Sequence, residues 1–226
     1  MTPEFSQTIL LSLKVASAAA ATIFIPGIAL GWLFARRNFP GKLLVDTLVN
    51  LPLVLPPIVT GYFLLIVFGR NGVLGRWLFE TFGLALTFTW QAASLAAAVV
   101  SFPLFVRAVR VAIENVDPKI EEAGRVLRTS AWQTFLKVTL PLSRNGIIAG
   151  AMLAFARSFG EFGATIMVAG NIPGETQTIP MAIYSLVNQP GGENRATWFI
   201  LISIVIAYGS LLTSEILLRR WRQDKS

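Results

Sequence analysis

Arg157 and Glu161 stand four residues apart in Phe155-Ala-Arg-Ser-Phe-Gly-Glu-Phe-Gly-Ala-Thr165, inside a long apolar stretch. On a helix that spacing places both side chains on one face, where they can neutralise each other. An ionisable group at such depth is also a mark of an ion route, and an arginine there would suit an anion. Ser158 suits a hydrogen bond between helices, and Gly160 and Gly163 suit close helix approach. Lys14, the third ionisable group within an apolar stretch, lies near one end of it and can carry its ammonium to the interface. The chain has no histidine and no cysteine. That removes the commonest metal ligand and general base, together with thiolate metal sites, iron–sulfur clusters and disulfides. Catalysis within this chain is not expected.

The elements that hold these groups follow from composition. Of 226 residues, 54% are hydrophobic and 14% charged, with a mean hydropathy of +0.63, which places the chain in a bilayer. Apolar stretches run from Thr8 to Ala35, Val49 to Phe68, Leu84 to Val106, Ile147 to Val168 and Thr197 to Leu218. Each reaches the roughly 20 residues a helix needs to cross about 30 Å of hydrocarbon. The net charge of +7 then reads as topology, not as a nucleic-acid surface. Lys and Arg cluster at Arg36 to Lys42, Arg107 to Arg144 and Arg219 to Lys225, whereas the alternate connections hold only Arg70, Arg76 and Arg195. The positive-inside rule therefore predicts five spans, an N-terminus outside and a cytoplasmic C-terminus. The first stretch is too long for a signal peptide and has no basic residue ahead of Lys14, so it is expected to be an uncleaved anchor. Its small residues Ala16 to Ala21 offer a face for helix packing.

One membrane domain, residues 1–226, is expected. Pro52, Pro56 and Pro57 interrupt the second stretch, with Gly61 following. Prolines free backbone carbonyls, so this span should face protein or a pathway and not lipid. In the segment from Gly170 to Ala196, a short apolar helix candidate from Met181 to Asn188 lies between turn residues; it is either an element at the outer interface or an ordinary connection.

The segment 107–144 is the most informative. Asp117-Pro-Lys-Ile-Glu-Glu-Ala123 reads as an N-cap, a proline in the first turn and carboxylates near a helix start. A helix is expected from Pro118 to about Arg128. Ser130 with Gln133 forms a candidate capping box for a second short helix carrying Trp132, Phe135 and Leu136. The hairpin reads either as a docking element or as an amphipathic unit on anionic headgroups.

Glu122-Ala123-Gly124, Arg128 and Val138-Thr-Leu-Pro141 resemble, with matching spacing, the coupling-loop motif of ABC importer permeases. Two identities depart: Gly124 replaces the second alanine and Arg128 the motif glycine, whose tight turn Thr129 and Ser130 could help supply. Phe39-Pro-Gly-Lys42, Leu51 to Pro57, Ser101-Phe-Pro103, Phe155 to Thr165 and Asn171 to Thr176 are similar to the molybdate branch of that family. The resemblance covers about Ser12 to Arg219. It implies an all-α membrane protein of about five transmembrane helices, the type I ABC importer permease fold with a cytoplasmic coupling-helix hairpin. It further implies an inner-membrane permease that imports molybdate, with tungstate or sulfate as alternative cargo and an ATP-independent secondary transporter as the competing class.

Implied partners are a second copy of the chain, a cytoplasmic ABC ATPase dimer, an extracytoplasmic molybdate-binding protein and the lipid bilayer, with no nucleic acid. No phosphate-binding loop occurs in the sequence, so ATP and magnesium are expected on the ATPase, with no cofactor, metal site or enzyme activity in this chain. The ATPase contact is expected from Glu121, Glu122, Ala123, Gly124 and Arg128, with Trp132, Phe135 and Pro141 holding the hairpin. The pathway is expected from Pro56, Pro57, Arg157, Ser158 and Glu161.

Overall fold

A computed structural model of the chain describes residues 3–126 and 130–223, with side chains over 4–122 and 130–219. Among the described residues every regular element is helical. Four are long and apolar enough to cross a membrane, and a bent pair of helices makes a fifth crossing if its halves are one span.

Helix α1 (Pro3–Arg36) and helix α5 (Trp90–Glu114) form the centre. Small residues let them approach: Ala19 of α1 is buried with Ala97 and Ala98 of α5, and Val15 of α1 with Ala92, Ala93 and Ala96, the close-packing role expected of the alanine run, while Ala16 is buried with Ile179, Ala182 and Phe199. Ile23, Phe105, Val109 and Ile113 continue this core and join Ile147 and Ala154 of α8 (Leu140–Phe159). Helix α5 begins at Trp90, not Leu84. The Thr89 hydroxyl accepts from the Ala92 N–H at 3.2 Å and sets the start, leaving 84–87 out of the helix.

The second expected span is not one helix. Helix α2 (Lys42–Val54) ends at Leu55, and α3 (Pro57–Phe68) leaves at 113° to it. Pro56 and Pro57 cannot donate the N–H groups that a continuous helix requires. A further helix, α4 (Val73–Phe82), lies where sequence reading placed a connection. The fourth expected span, Ile147 to Val168, is also divided. Helix α8 stops at Phe159, and α9 (Gly163–Ala169) begins after a break at 160–162.

Two short helices, α6 (Pro118–Val126) and α7 (Ala131–Thr134), form the hairpin between α5 and α8. From α7 the chain passes through a π-helical turn, Phe135–Thr139, in which the Leu140 N–H reaches the Phe135 carbonyl. Helix α10 (Ile179–Val187) packs Ile179, Met181, Ala182 and Leu186 inward; Ile179 N–H donates to Ser12 Oγ at 2.8 Å, pinning α10 to α1. Helix α11 (Glu193–Gln223) lies along α8, where Ser214 Oγ donates to the Ala149 carbonyl at 3.1 Å. Its Trp198, Val205 and Tyr208 face outward.

Candidate functional site: two helix breaks and a tethered hairpin

The two helix breaks meet. Gly163, first residue of α9, packs against Pro57 and Ile58, such that a Cβ on Gly163 would stand 2.9 Å from Pro57 Cβ. One turn further along α3, a Cβ on Gly61 would stand 2.6 Å from the Ala164 carbonyl oxygen and 2.8 Å from Ala164 Cα. Glycine at both positions permits a backbone-to-backbone contact that any other residue would force apart. The prolines that break α2–α3 are thus seated on the break that separates α8 from α9. Pro56 stays exposed and Pro57 is half-buried.

Glu161 occupies the second break and is 2% exposed. Its Oε2 accepts from Arg157 Nη1 at 2.7 Å, while its Oε1 accepts from the Ala164 N–H at 2.9 Å. The carboxylate therefore satisfies an otherwise unpaired amide in the first turn of α9 and neutralises the guanidinium one turn back. Arg157, with a side chain 35% exposed, is the open member of the pair. Ser158 faces the other way. It is buried against α5, where its Oγ donates to Ser101 Oγ at 2.9 Å, and Ser101 Oγ donates onward to the Ala98 carbonyl. Pro56, Pro57, Arg157 and Glu161 thus belong to two abutting breaks, with Ser158 on the adjacent α5–α8 contact. Lys14 is placed elsewhere, its Nζ 3.7 Å from the centre of the Trp90 ring, a cation–π contact.

The hairpin forms the second part of the site. Asp117 accepts from the Lys119 N–H at 2.9 Å at the start of α6. The Ser130–Gln133 capping box at α7 has both of its reciprocal bonds. Glu121 does not point away from the protein. It is 6% exposed, pairs with Arg36 Nε at 3.0 Å and accepts from the Thr139 hydroxyl at 2.6 Å. Arg36 in turn donates through Nη2 to the carbonyls of Ile113 and Val116, both at 2.9 Å, at the end of α5. One ion pair therefore joins the end of α1, the end of α5, helix α6 and the π turn that opens into α8. Such bonds to a charged group are the stronger kind.

Phe135 is buried edge-on to Trp32, with ring centres 5.6 Å apart, and Trp132 stacks on Phe135 while remaining 66% exposed. Ile120, Glu122 and Trp132 lie on the hairpin's exposed surface. Pro141 lies in the first turn of α8 and is exposed, so the hairpin is held by Glu121 and Phe135 and not by Pro141 packing. Ala123 and Gly124 lie within α6, and Arg128 lies outside the described residues. Arg36 and Thr139 are site residues that sequence reasoning missed. Thr139 could have been noticed as the residue between Val138 and Leu140-Pro141, but no sequence spacing links Arg36 to a carboxylate 85 residues away.

Apolar helices long enough to cross a membrane, two abutting helix breaks and a hairpin tethered to the helix ends define an integral-membrane protein. Residues 27–223 match the family described as binding-protein-dependent transport system inner membrane component, and the chain belongs to that family. It is 53% identical over 221 residues to the molybdenum transport system permease protein ModB of Escherichia coli K12, covering 98% of this chain and 96% of that protein. It is 49% identical over 213 residues to the protein of that name in Haemophilus influenzae, covering 94% and 93%. Among solved structures, the fold matches the inward-facing MetNI methionine ABC transporter with a TM-score of 0.70 at 16% identity, over 96% of this chain and 99% of that one. The fold is that of type I ABC importer permeases.

Proposed function

We propose that this chain is the membrane permease of an ABC importer that carries molybdate into the cytoplasm. Two copies of the chain form the passage, an extracytoplasmic binding protein delivers the dianion, and a separate ATPase dimer holds the ATP and magnesium. The N-terminus lies outside, and the basic end with its hairpin faces the cytoplasm, consistent with the Lys and Arg distribution.

The observation that carries the reading is the junction of Arg36, Glu121 and Thr139. A protruding hairpin is useful for coupling only if a force on it is transmitted to the spans. Here α6 and the π turn are joined to the ends of α1 and α5 by charge-assisted hydrogen bonds. The exposed surface of Ile120, Glu122 and Trp132, with Ala123, Gly124 and Arg128 of the same segment, would seat in a cleft on the ATPase. Closure of the ATPase dimer would then move hairpin and spans as one body. The helix breaks at Pro56–Pro57 and 160–162 supply the part of the passage able to open, since broken helices at membrane depth belong where protein or a water-filled cavity satisfies them. The choice of molybdate rests on the identity to the molybdenum permeases over nearly the whole chain.

The test is ATP-dependent uptake of labelled molybdate by vesicles containing the chain, its ATPase and its binding protein, with tungstate and sulfate as competitors. Competition by tungstate and not by sulfate supports the molybdate reading. Strong sulfate competition moves the assignment to a broader oxyanion importer, and uptake that persists without the ATPase refutes the coupled mechanism.

A further inference from the structure

We propose that Glu161 tunes Arg157 into a passing contact for the transported dianion, and that without this carboxylate the guanidinium becomes a trap. The proposal rests on the transport reading and assigns it a substrate-contacting residue.

Arg157 lies thirteen residues along α8 from Arg144 at the basic end, about 20 Å at 1.5 Å per residue. That is well inside a hydrocarbon layer of about 30 Å. A guanidinium with a third of its side chain open at this depth cannot face lipid without a large cost, so its open side faces a second protein surface or water. The break at Pro56–Pro57, which packs on the start of α9, meets the same requirement.

The two members of the pair are held unequally. Glu161 is buried and fixed at both oxygens, by Arg157 and by the Ala164 N–H. Arg157 is open, and Nη1 is the nitrogen that reaches a partner among the described residues. A guanidinium has five N–H donors in a planar fork suited to an oxyanion, so most of that donor capacity remains for a tetrahedral dianion. A bare cation in a low-dielectric passage would bind such an ion too well to release it, whereas conduction requires binding that is favourable and weak. The anchored carboxylate supplies the weakening. It offsets the charge of Arg157 while leaving the donors in place, so the dianion meets hydrogen bonds without a full unit of unopposed charge.

Glu161→Gln tests this directly, because the amide oxygen can still accept from the Ala164 N–H while the charge is lost. The assembled permease–ATPase complex, without binding protein, is equilibrated with labelled molybdate and passed through a desalting column, and uptake is measured in vesicles. The expected result is retention of label by E161Q roughly tenfold above wild type, with slower uptake. The charge-neutral double variant R157Q/E161Q should lose both the retention and efficient uptake. Retention no greater than wild type in E161Q, or wild-type uptake in the double variant, overturns the proposal and leaves the pair a packing device. Arg157→Lys, which keeps a cation beside Glu161, guards against a variant that fails to assemble. It is expected to lose less uptake than Arg157→Gln, and equal loss in the two overturns the proposal as well. Absence of ATP-dependent uptake by the wild-type chain in the same vesicles would instead refute the transport reading.

Discussion

Replacing Glu121 by Gln tests whether the hairpin drives the spans through its polar junction. The substitution keeps size and removes charge. The native carboxylate holds Arg36 Nε at 3.0 Å and the Thr139 hydroxyl at 2.6 Å, with side chains 16% and 7% exposed at the ion pair. Breaking a fully buried pair costs about 3–5 kcal/mol, and a single hydrogen bond to a charged group contributes about 1.5–3 kcal/mol. Arg36 keeps the carbonyls of Ile113 and Val116, and the Gln oxygen can still accept from one donor, so the loss should be about 2 kcal/mol. That is a factor of roughly 30 in the equilibrium between a joined and a parted junction. With the proposed ATPase-contacting surface left intact, hydrolysis should continue while less of each stroke reaches α1, α5 and α8. The assay measures phosphate release and molybdate uptake in the same vesicles, and the expected result is a several-fold rise in ATP spent per ion. Uptake and hydrolysis that fall in strict proportion, or an unchanged ratio, would refute the reasoning.

Three further outcomes follow from the geometry. Thr139→Val removes only the 2.6 Å bond to Glu121 at a fully buried, nearly isosteric site. It should raise ATP spent per ion in the direction of E121Q but by less, and a larger effect than E121Q would contradict the junction. Gly61→Val places side-chain atoms against the Ala164 backbone, and such overpacking costs about 1–3 kcal/mol; the melting temperature of the purified complex should fall, and uptake with it. Trp132→Ala leaves buried Phe135 in place and removes an exposed ring, so thermal stability should change little while retention of the ATPase during purification drops by about tenfold or more, as for an interface anchor.

The elements most visible in the sequence were those with local causes. The apolar runs of α1, α5 and α11 mark their spans, and Ser130 with Gln133 marks the start of α7, because capping is settled within four residues. The Arg157–Glu161 pair was visible for the same reason. The 113° bend was only half legible. Pro56 and Pro57 announce a break, but its angle is set by α9 packing on α3 through Gly61 and Gly163, which hydropathy does not encode. The division between α8 and α9 was hidden because 160–169 continues an apolar stretch, and the restart at α9 is helped by the Glu161 carboxylate accepting from the Ala164 N–H. In the sequence Arg36 is one of a cluster of charges marking topology. Its partners come from α5 and α6, so three-dimensional assembly alone reveals its part in the junction.

The π-helical turn between Phe135 and Thr139 sets the phase of everything that follows it. Its bond from Leu140 back to Phe135 spans one residue more than an α-helical turn, so α8 starts about 100° further around its axis than an unbroken helix from α7 would place it. Phe135 at the start of the turn is buried beside Trp32, and Thr139 at its end meets Glu121. Deleting the exposed Lys137 would spare every hydrophobic side chain of the turn yet rotate the hairpin out of step with the span. The register of this segment, together with the contacts of Phe135 and Thr139, therefore ties the hairpin to the span.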